Sequence, residues 1–432
     1  MNRSAEPYLN RRTALAAAAG LGLSVSFLGR SAYAAADGEL ARRKLVIIVC
    51  RGGMDGLSVS PPVGDPDYAG LRKAIAIAPF GAPDGALQLD DTFGLHPSLK
   101  AVHRLALAGQ ARIAPAVATP DRARSHFEAQ DVLESGGNLV YGTPSGWLNR
   151  TLQTLAPTRK LQALSVGVEA PLILRGPLQA ASWSPGGLQS RDARLPMILA
   201  DLYAHDPLLG PALASGLQTQ TMAKAASSLA VAQEQAETPP DAMNPMDAAA
   251  SKPAGANLGG NPEAVRAAGV TVAKFMTAEN GPQIVAISVD NFDTHANQGT
   301  ARGLLATRLT YLDNLLDGLS DGLGPEWNNT VVVAATEFGR TAHVNGTNGT
   351  DHGTASTALV LGGALRRRGI IGDWPTLQPA RLFESRDTAP TLDMRALFKG
   401  VLVEHLGVER RALDTVIFPD SGAVAPAIGV VA

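Results

Sequence analysis

Five short segments gather carboxylates, imidazoles and arginines. They are Arg51-Gly-Gly-Met-Asp55-Gly56, Arg122-Ala-Arg124-Ser125-His126-Phe127, Asp290-Asn-Phe-Asp293-Thr-His295-Ala-Asn-Gln298, Thr336-Glu337-Phe-Gly-Arg340-Thr341 and Gly349-Thr-Asp351-His352-Gly353. Oxygen and nitrogen donors without thiolates suit one or two divalent ions: zinc, manganese, or calcium with fewer histidine ligands. The candidate ligands are Asp55, Asp293, His295, Glu337, Asp351 and His352. In extended chain Asp293 and His295 point to one side and could share an ion, while Asp351 and His352 point apart. Asp351 and His352 would then serve two ions, or one ion and a supporting partner. Ser125 precedes a helical stretch. It reads as an N-cap, or as a nucleophile at a helix N-terminus that favours an anionic ester. His126 beside it would be catalytic or would support a ligand. Arg51, Arg124 and Arg340 are candidate cations for the anion. Asp55 also reads as a turn former, and Glu337 with Arg340 as an ion pair.

These residues need elements to hold them. Leu45–Cys50, 284–289 and 330–335 are continuous apolar runs rich in β-branched residues, the pattern of strands buried on both faces. Residues 112–117 are a weaker candidate because Pro115 suits a central strand poorly. Residues 358–361 are another strand. Helical patterns cover 97–108, 126–135, 146–155, 195–204, 262–277, 300–319 and 393–406. The alternation predicts a three-layer α/β fold, with a mostly parallel sheet and helices on both faces. Four of the five segments directly follow a predicted strand. In open α/β sheets that edge is where ligands bind.

The rest of the chain bounds the reading. It has 432 residues, a net charge of −2 and one cysteine. A near-neutral balance argues against a nucleic-acid binder, and the lone cysteine excludes an internal disulfide or thiolate cluster. Cys50 ends a buried strand and reads as an inert core residue. Residues 1–34 read as an export signal: Arg11-Arg12, then an uncharged apolar run, then Ala32-Tyr33-Ala34. That run is short for a membrane span. Its removal takes the net charge to −5, because the segment carries four arginines and one glutamate. Residues 35–432 then form one domain with no stable span, bound for the periplasm or secretion. Residues 236–260, poor in large apolar side chains, read as a flexible insertion.

The same loops carry a family resemblance. Leu45–Leu57, Gly64–Tyr68, Gly94–Pro97, Arg124–Asp131, Gly146–Arg150, Phe292–Gln298, Thr336–Thr341, Thr350–Gly353 and Gly372–Trp374, with the twin-arginine leader, together resemble the bacterial domain-of-unknown-function family 1501. That family is similar to the alkaline phosphatase and sulfatase superfamily. The resemblance implies one large alkaline phosphatase-like domain with a metal site at the strand ends. By it Asp55 falls near a metal-binding aspartate, and Ser125 near the nucleophile. Asp293 and His295 match the ligands of one metal, Glu337 matches a carboxylate of the other, and His352 the late histidine. The chain departs from that pattern in its Asp-x-His spacing and in Glu337 standing for an aspartate. It has no Cys-x-Pro-x-Arg motif for a formylglycine. The expectation is an exported metal-dependent hydrolase of a small phosphate or sulfate ester. The alternative is a non-catalytic envelope protein of the same fold that binds an anionic ligand or a protein partner.

Overall fold

The computed structural model describes residues 40, 42–157, 162–166, 171–183 and 261–431. The leader, the predicted helix 195–204 and the insertion 236–260 lie outside the described residues. The fold that follows is that of the unit from Arg43 to Ala432.

Ten strands are described, eight of them in one sheet. They are β1 (Lys44–Cys50), β2 (Leu87–Gln88), β3 (Gly94–Leu95), β4 (Ala111–Ala118), β5 (Ala163–Val166), β6 (Ala181–Trp183), β7 (Ile284–Val289), β8 (Thr330–Ala335), β9 (Ser356–Leu361) and β10 (Leu392–Asp393). The sheet runs β10-β4-β9-β8-β1-β7-β5-β6. Every pairing is parallel except those of β9, which runs antiparallel between β4 and β8. The separate β2–β3 pair is a small antiparallel ribbon.

The α/β expectation holds, and its physical cause is visible in β1. Val46, Ile48 and Cys50 enter the core on one face, and Leu45, Ile47 and Val49 the core on the other. Cys50 is buried, and burial pushes its thiol pKa up, as an inert core position requires. The first face is covered by α3 (Lys100–Leu107), α6 (Pro262–Thr277) and α7 (Leu304–Leu323). The second is covered by α4 (His126–Ser135), α5 (Trp147–Leu155) and α8 (Met394–Leu406). Two short helices, α1 (Gly56–Val59) and α2 (Tyr68–Arg72), follow β1.

Pro115 did not exclude a central strand. β4 pairs with β9 and β10, and its register against β9 shifts between Ala114 and Val117. Ala116 takes φ 57° there. A β-bulge is a place where a residue without an N–H fits a sheet. Helix α7 starts at Leu304, later than the sequence pattern indicated, because residues 290–303 are used as a loop.

Among the described residues, no helix is long and apolar enough to cross a membrane. The parallel strands β1, β4, β7 and β8 deliver the segments after them to one edge of the sheet. The segment containing His352 reaches the same edge from the other direction, because it precedes the antiparallel β9.

Candidate metal centre

One histidine from the start of α4, one aspartate after β7 and one histidine before β9 meet at that edge. Ligand atoms of His126, Asp293 and His352 lie within 4.8 Å of one another, the group of this kind found among the described residues. His295 closes on it: its Nε2 is 3.0 Å from Asp293 Oδ1 and 3.0 Å from His352 Nε2.

Each imidazole is held from behind by its other nitrogen. His352 Nδ1 donates to the Arg124 carbonyl at 2.8 Å, which leaves the lone pair on Nε2. His126 Nδ1 bonds Glu337 Oε1 at 2.8 Å, while its buried Nε2 has no hydrogen-bond partner. His295 Nδ1 faces Asp351 Oδ1 at 3.4 Å. Outer acceptors on Nδ1 with Nε2 turned inward are the supporting arrangement of metal-bound histidine. An orphaned buried nitrogen is costly unless something binds it. The residues therefore fit a divalent ion, with a donor set of imidazoles and one carboxylate that suits zinc or manganese better than calcium.

Local charge follows from these contacts. The Glu337 hydrogen bond raises the His126 pKa above its ordinary value, outweighing burial. Burial lowers that of His352. Burial disfavours an ionised Asp293, but the Arg340 guanidinium bonded to it, with His295 and His126 nearby, prevails and holds its pKa below the ordinary range.

Several predicted residues sit elsewhere. Asp55 is buried outside the group. It is paired with Arg72, takes the Gln298 Nε2 proton at 2.6 Å and the Ser58 hydroxyl at 2.8 Å. It lies at the start of α1, five residues past β1, too far along the chain for a strand-tip ligand. Glu337 is fully buried and already occupied. Oε1 accepts the Gly52 and Gly53 N–H groups at 2.8 and 3.1 Å as well as His126, and Oε2 accepts the Thr336 hydroxyl. It stands behind His126 and outside the ligand group. Asp351 stands behind His295, with Asn345 Nδ2 also on Oδ1 at 3.1 Å.

None of the three arginines is a spare cation. Arg51 pairs with Glu134 at 3.0 Å. Arg124 pairs with Asp387 at 2.9 Å and with Glu384 at 2.5 Å. Arg340 is buried on Asp293 and on the carbonyls of Gly52, Gly53 and Thr350. Two positive-φ glycines allow this packing. A Cβ on Gly52 would meet Asp293 N at 2.7 Å, and one on Gly53 would meet the Phe338 ring at 2.5 Å.

Ser125 occupies the N-cap of α4, but its side chain makes no capping hydrogen bond. The hydroxyl and the first-turn N–H groups of α4 flank His126 in sequence. Reading the sequence placed His126 near the chemistry without making it a ligand, since the carboxylates it meets, Glu337 and Asp293, are far from it along the chain. Gln298 stood in a quoted loop with no role assigned, and no local pattern distinguishes it.

No curated protein matches the chain. Three solved structures share about a tenth of its sequence. They are the C-terminal periplasmic domain of EptC from Escherichia coli (10% identity, 89% of this chain and 86% of that one, TM-score 0.38), the lipoteichoic acid synthase LtaP from Listeria monocytogenes (9%, 88% and 76%, TM-score 0.36) and alkaline phosphatase from the Antarctic bacterium TAB5 (12%, 76% and 93%, TM-score 0.30). The sequence profile of one family covers residues 42–417. The chain belongs to the family described as "Protein of unknown function (DUF1501)".

Proposed function

We propose that the chain is an exported, metal-dependent hydrolase of a phosphate or sulfate ester, using one ion. The observation that carries this is the convergence of His126, Asp293 and His352 within 4.8 Å, each histidine fixed from behind. A divalent ion there would supply Lewis acidity to the ester and its leaving oxygen. His126, Asp293 and His352 would hold it, with His295 beside them. Ser125 Oγ, free of capping duty, is the chain's own candidate nucleophile: it would bond to phosphorus or sulfur as the P–O or S–O bond to the alcohol breaks, its proton leaving with the alcohol, and water would then cleave the seryl ester and restore the hydroxyl. The first-turn N–H groups of α4, which have no helical acceptor, would face the anion's oxygens. Glu337 keeps the His126 ring in place throughout.

The pairing of Arg51, Arg124 and Arg340 with carboxylates favours one second reading. It is a metal-binding protein of the same fold that docks a protein partner, or an anionic ligand through the ion alone, without turnover.

Elemental analysis and a panel of phosphate and sulfate mono- and diesters test both. The expected result is about one tightly bound zinc or manganese per chain, with turnover of at least one ester. His352→Ala should weaken the metal by more than the roughly 10–100-fold that loss of a supporting partner costs. Metal without turnover on any ester would establish the second reading. A folded chain that takes up neither ion would overturn both.

A further inference from the structure

The ligand-bearing loops have little regular structure, and their side chains are partly exposed: Asp293 is 43% and His295 46% accessible. Something buried must hold them to the precision a metal requires. The geometry points to Gln298 as that positioning residue, in a buried clamp joining the loop of Asp293 and His295 to the loop of His352 and anchoring both on Asp55. This rests on the metal-centre reading above.

Gln298 is fully buried and uses both ends of its amide. Its Oε1 accepts the hydroxyls of Thr294 at 2.8 Å and Thr350 at 3.0 Å. Thr294 is the residue between Asp293 and His295, and Thr350 lies two residues before His352. Both threonines are buried. In extended chain Thr294 faces away from its two neighbours. Its inward hydroxyl bond therefore fixes their outward direction. The Gln298 Nε2 donates to Asp55 Oδ2 at 2.6 Å and to Ser58 Oγ at 3.1 Å. Asp55 is in turn paired with buried Arg72, whose Nη1 reaches the Thr341 carbonyl at 3.1 Å, next to Arg340. Backbone bonds run alongside: Thr350 N to the Thr294 carbonyl at 3.2 Å and Gln298 N to the Asn348 carbonyl at 2.9 Å. No other side chain bonds both threonines among the contacts described. Asp55 Oδ1 and Arg72 Nε are left without partners, but both ends of the buried Gln298 amide are bonded, and a satisfied buried amide specifies one arrangement of the groups it joins. Asp55 thus acts through Gln298, as the fixed point of the clamp.

The test uses Co²⁺ as the probe, with the dissociation constant and the ligand-field absorption bands as readouts. Gln298→Met should weaken Co²⁺ binding by about 10–100-fold and alter the bands. Thr350→Val, which removes the hydroxyl at constant shape, should act in the same direction, and Thr350→Ser, which keeps it, should behave as wild type. This pair carries the test if Gln298→Met does not fold. Asp313→Ala, which removes the buried α7 carboxylate that accepts the Ala101 and Val102 N–H groups of α3 and so destabilises the fold away from the site, should leave affinity and bands unchanged. Wild-type Co²⁺ binding with an unaltered Gln298→Met or Thr350→Val would overturn the positioning role and leave the metal centre standing. An equal loss in Asp313→Ala would overturn it too, by assigning the effect to general instability. A wild-type chain that binds no Co²⁺ would remove the metal centre and the clamp together.

Discussion

Glu337 concentrates the residue-scale argument. A fully buried carboxylate costs several kcal/mol unless it is paired and hydrogen-bonded. This one is satisfied by two glycine N–H groups, the Thr336 hydroxyl and His126. Its charge favours the imidazolium form of His126, as the raised pKa records. Its geometry also points Nε2 at the ligand group, so it both helps and hinders metal binding. At acid pH a proton held more tightly on His126 competes with the ion. Above the titration range of His126 that competition has gone and only orientation remains. Glu337→Gln should therefore lower the His126 pKa in the metal-free chain, read by imidazole NMR titration. At a pH above the titration range so measured it should weaken zinc by roughly 10–100-fold. It should also cost about 1–3 kcal/mol of stability, because one amide end donates where the carboxylate accepted. Zinc affinity unchanged at that pH would mean that Glu337 does not orient His126.

At the scale of elements, α6 and α7 show what sequence pattern conveys and what it omits. Their apolar periodicity was legible, and α6 was read as 262–277, the span observed. The closeness of their contact was not legible, because it depends on glycines facing a partner backbone. A Cβ on Gly269 would lie 2.4 Å from the Leu315 carbonyl, and one on Gly318 would lie 2.0 Å from that of Arg266. Gly70 in α2 has nothing within 4 Å. Alanine gains about 0.8–1.0 kcal/mol over glycine in a helix interior, while overpacking a close contact costs about 1–3 kcal/mol. Gly318→Ala should therefore destabilise and Gly70→Ala should stabilise, read from denaturant midpoints. Changes of the same sign would show that propensity alone decides. The candidate site divides in the same way. Strand periodicity indicated that the segments after β1, β4, β7 and β8 end at one edge, since that needs only the pattern of apolar residues. It did not indicate that β9 runs antiparallel, because a short apolar run carries no direction. Nor could it sort Asp55 and Glu337 from His126. Their roles are set by partners such as Arg72, 17 positions along the chain from Asp55, and His126, 211 positions from Glu337.

At the scale of the whole molecule, the two helical layers carry opposed pH dependences. On one face His405 of α8 donates through Nε2 to the Lys44 carbonyl at the start of β1, and burial pushes its pKa down to about 4. On the other face Asp313 of α7 caps α3, accepting the Ala101 and Val102 N–H groups at 3.0 and 2.9 Å. Burial there pushes its pKa up to about 6, against those two bonds. The unfolded chain has ordinary values of about 6.5 and 3.9. Between about pH 4 and 6 the unfolded state binds the extra proton at His405, so this histidine makes stability rise with pH. In the same window the folded state binds the extra proton at Asp313, so this aspartate makes stability fall with pH. Each contributes up to about 1.4 kcal/mol per pH unit, with opposite sign, and the two largely offset. Asp313→Asn should therefore tilt the profile toward higher stability at higher pH. His405→Gln, which can still donate to the carbonyl, should tilt it the other way. Urea melts of metal-free protein across that window measure both slopes, with chelator present because ligand binding to the folded state adds its own pH dependence. Variants that move the whole curve up or down without changing its slope would show that neither group titrates between the folded and unfolded states in this range.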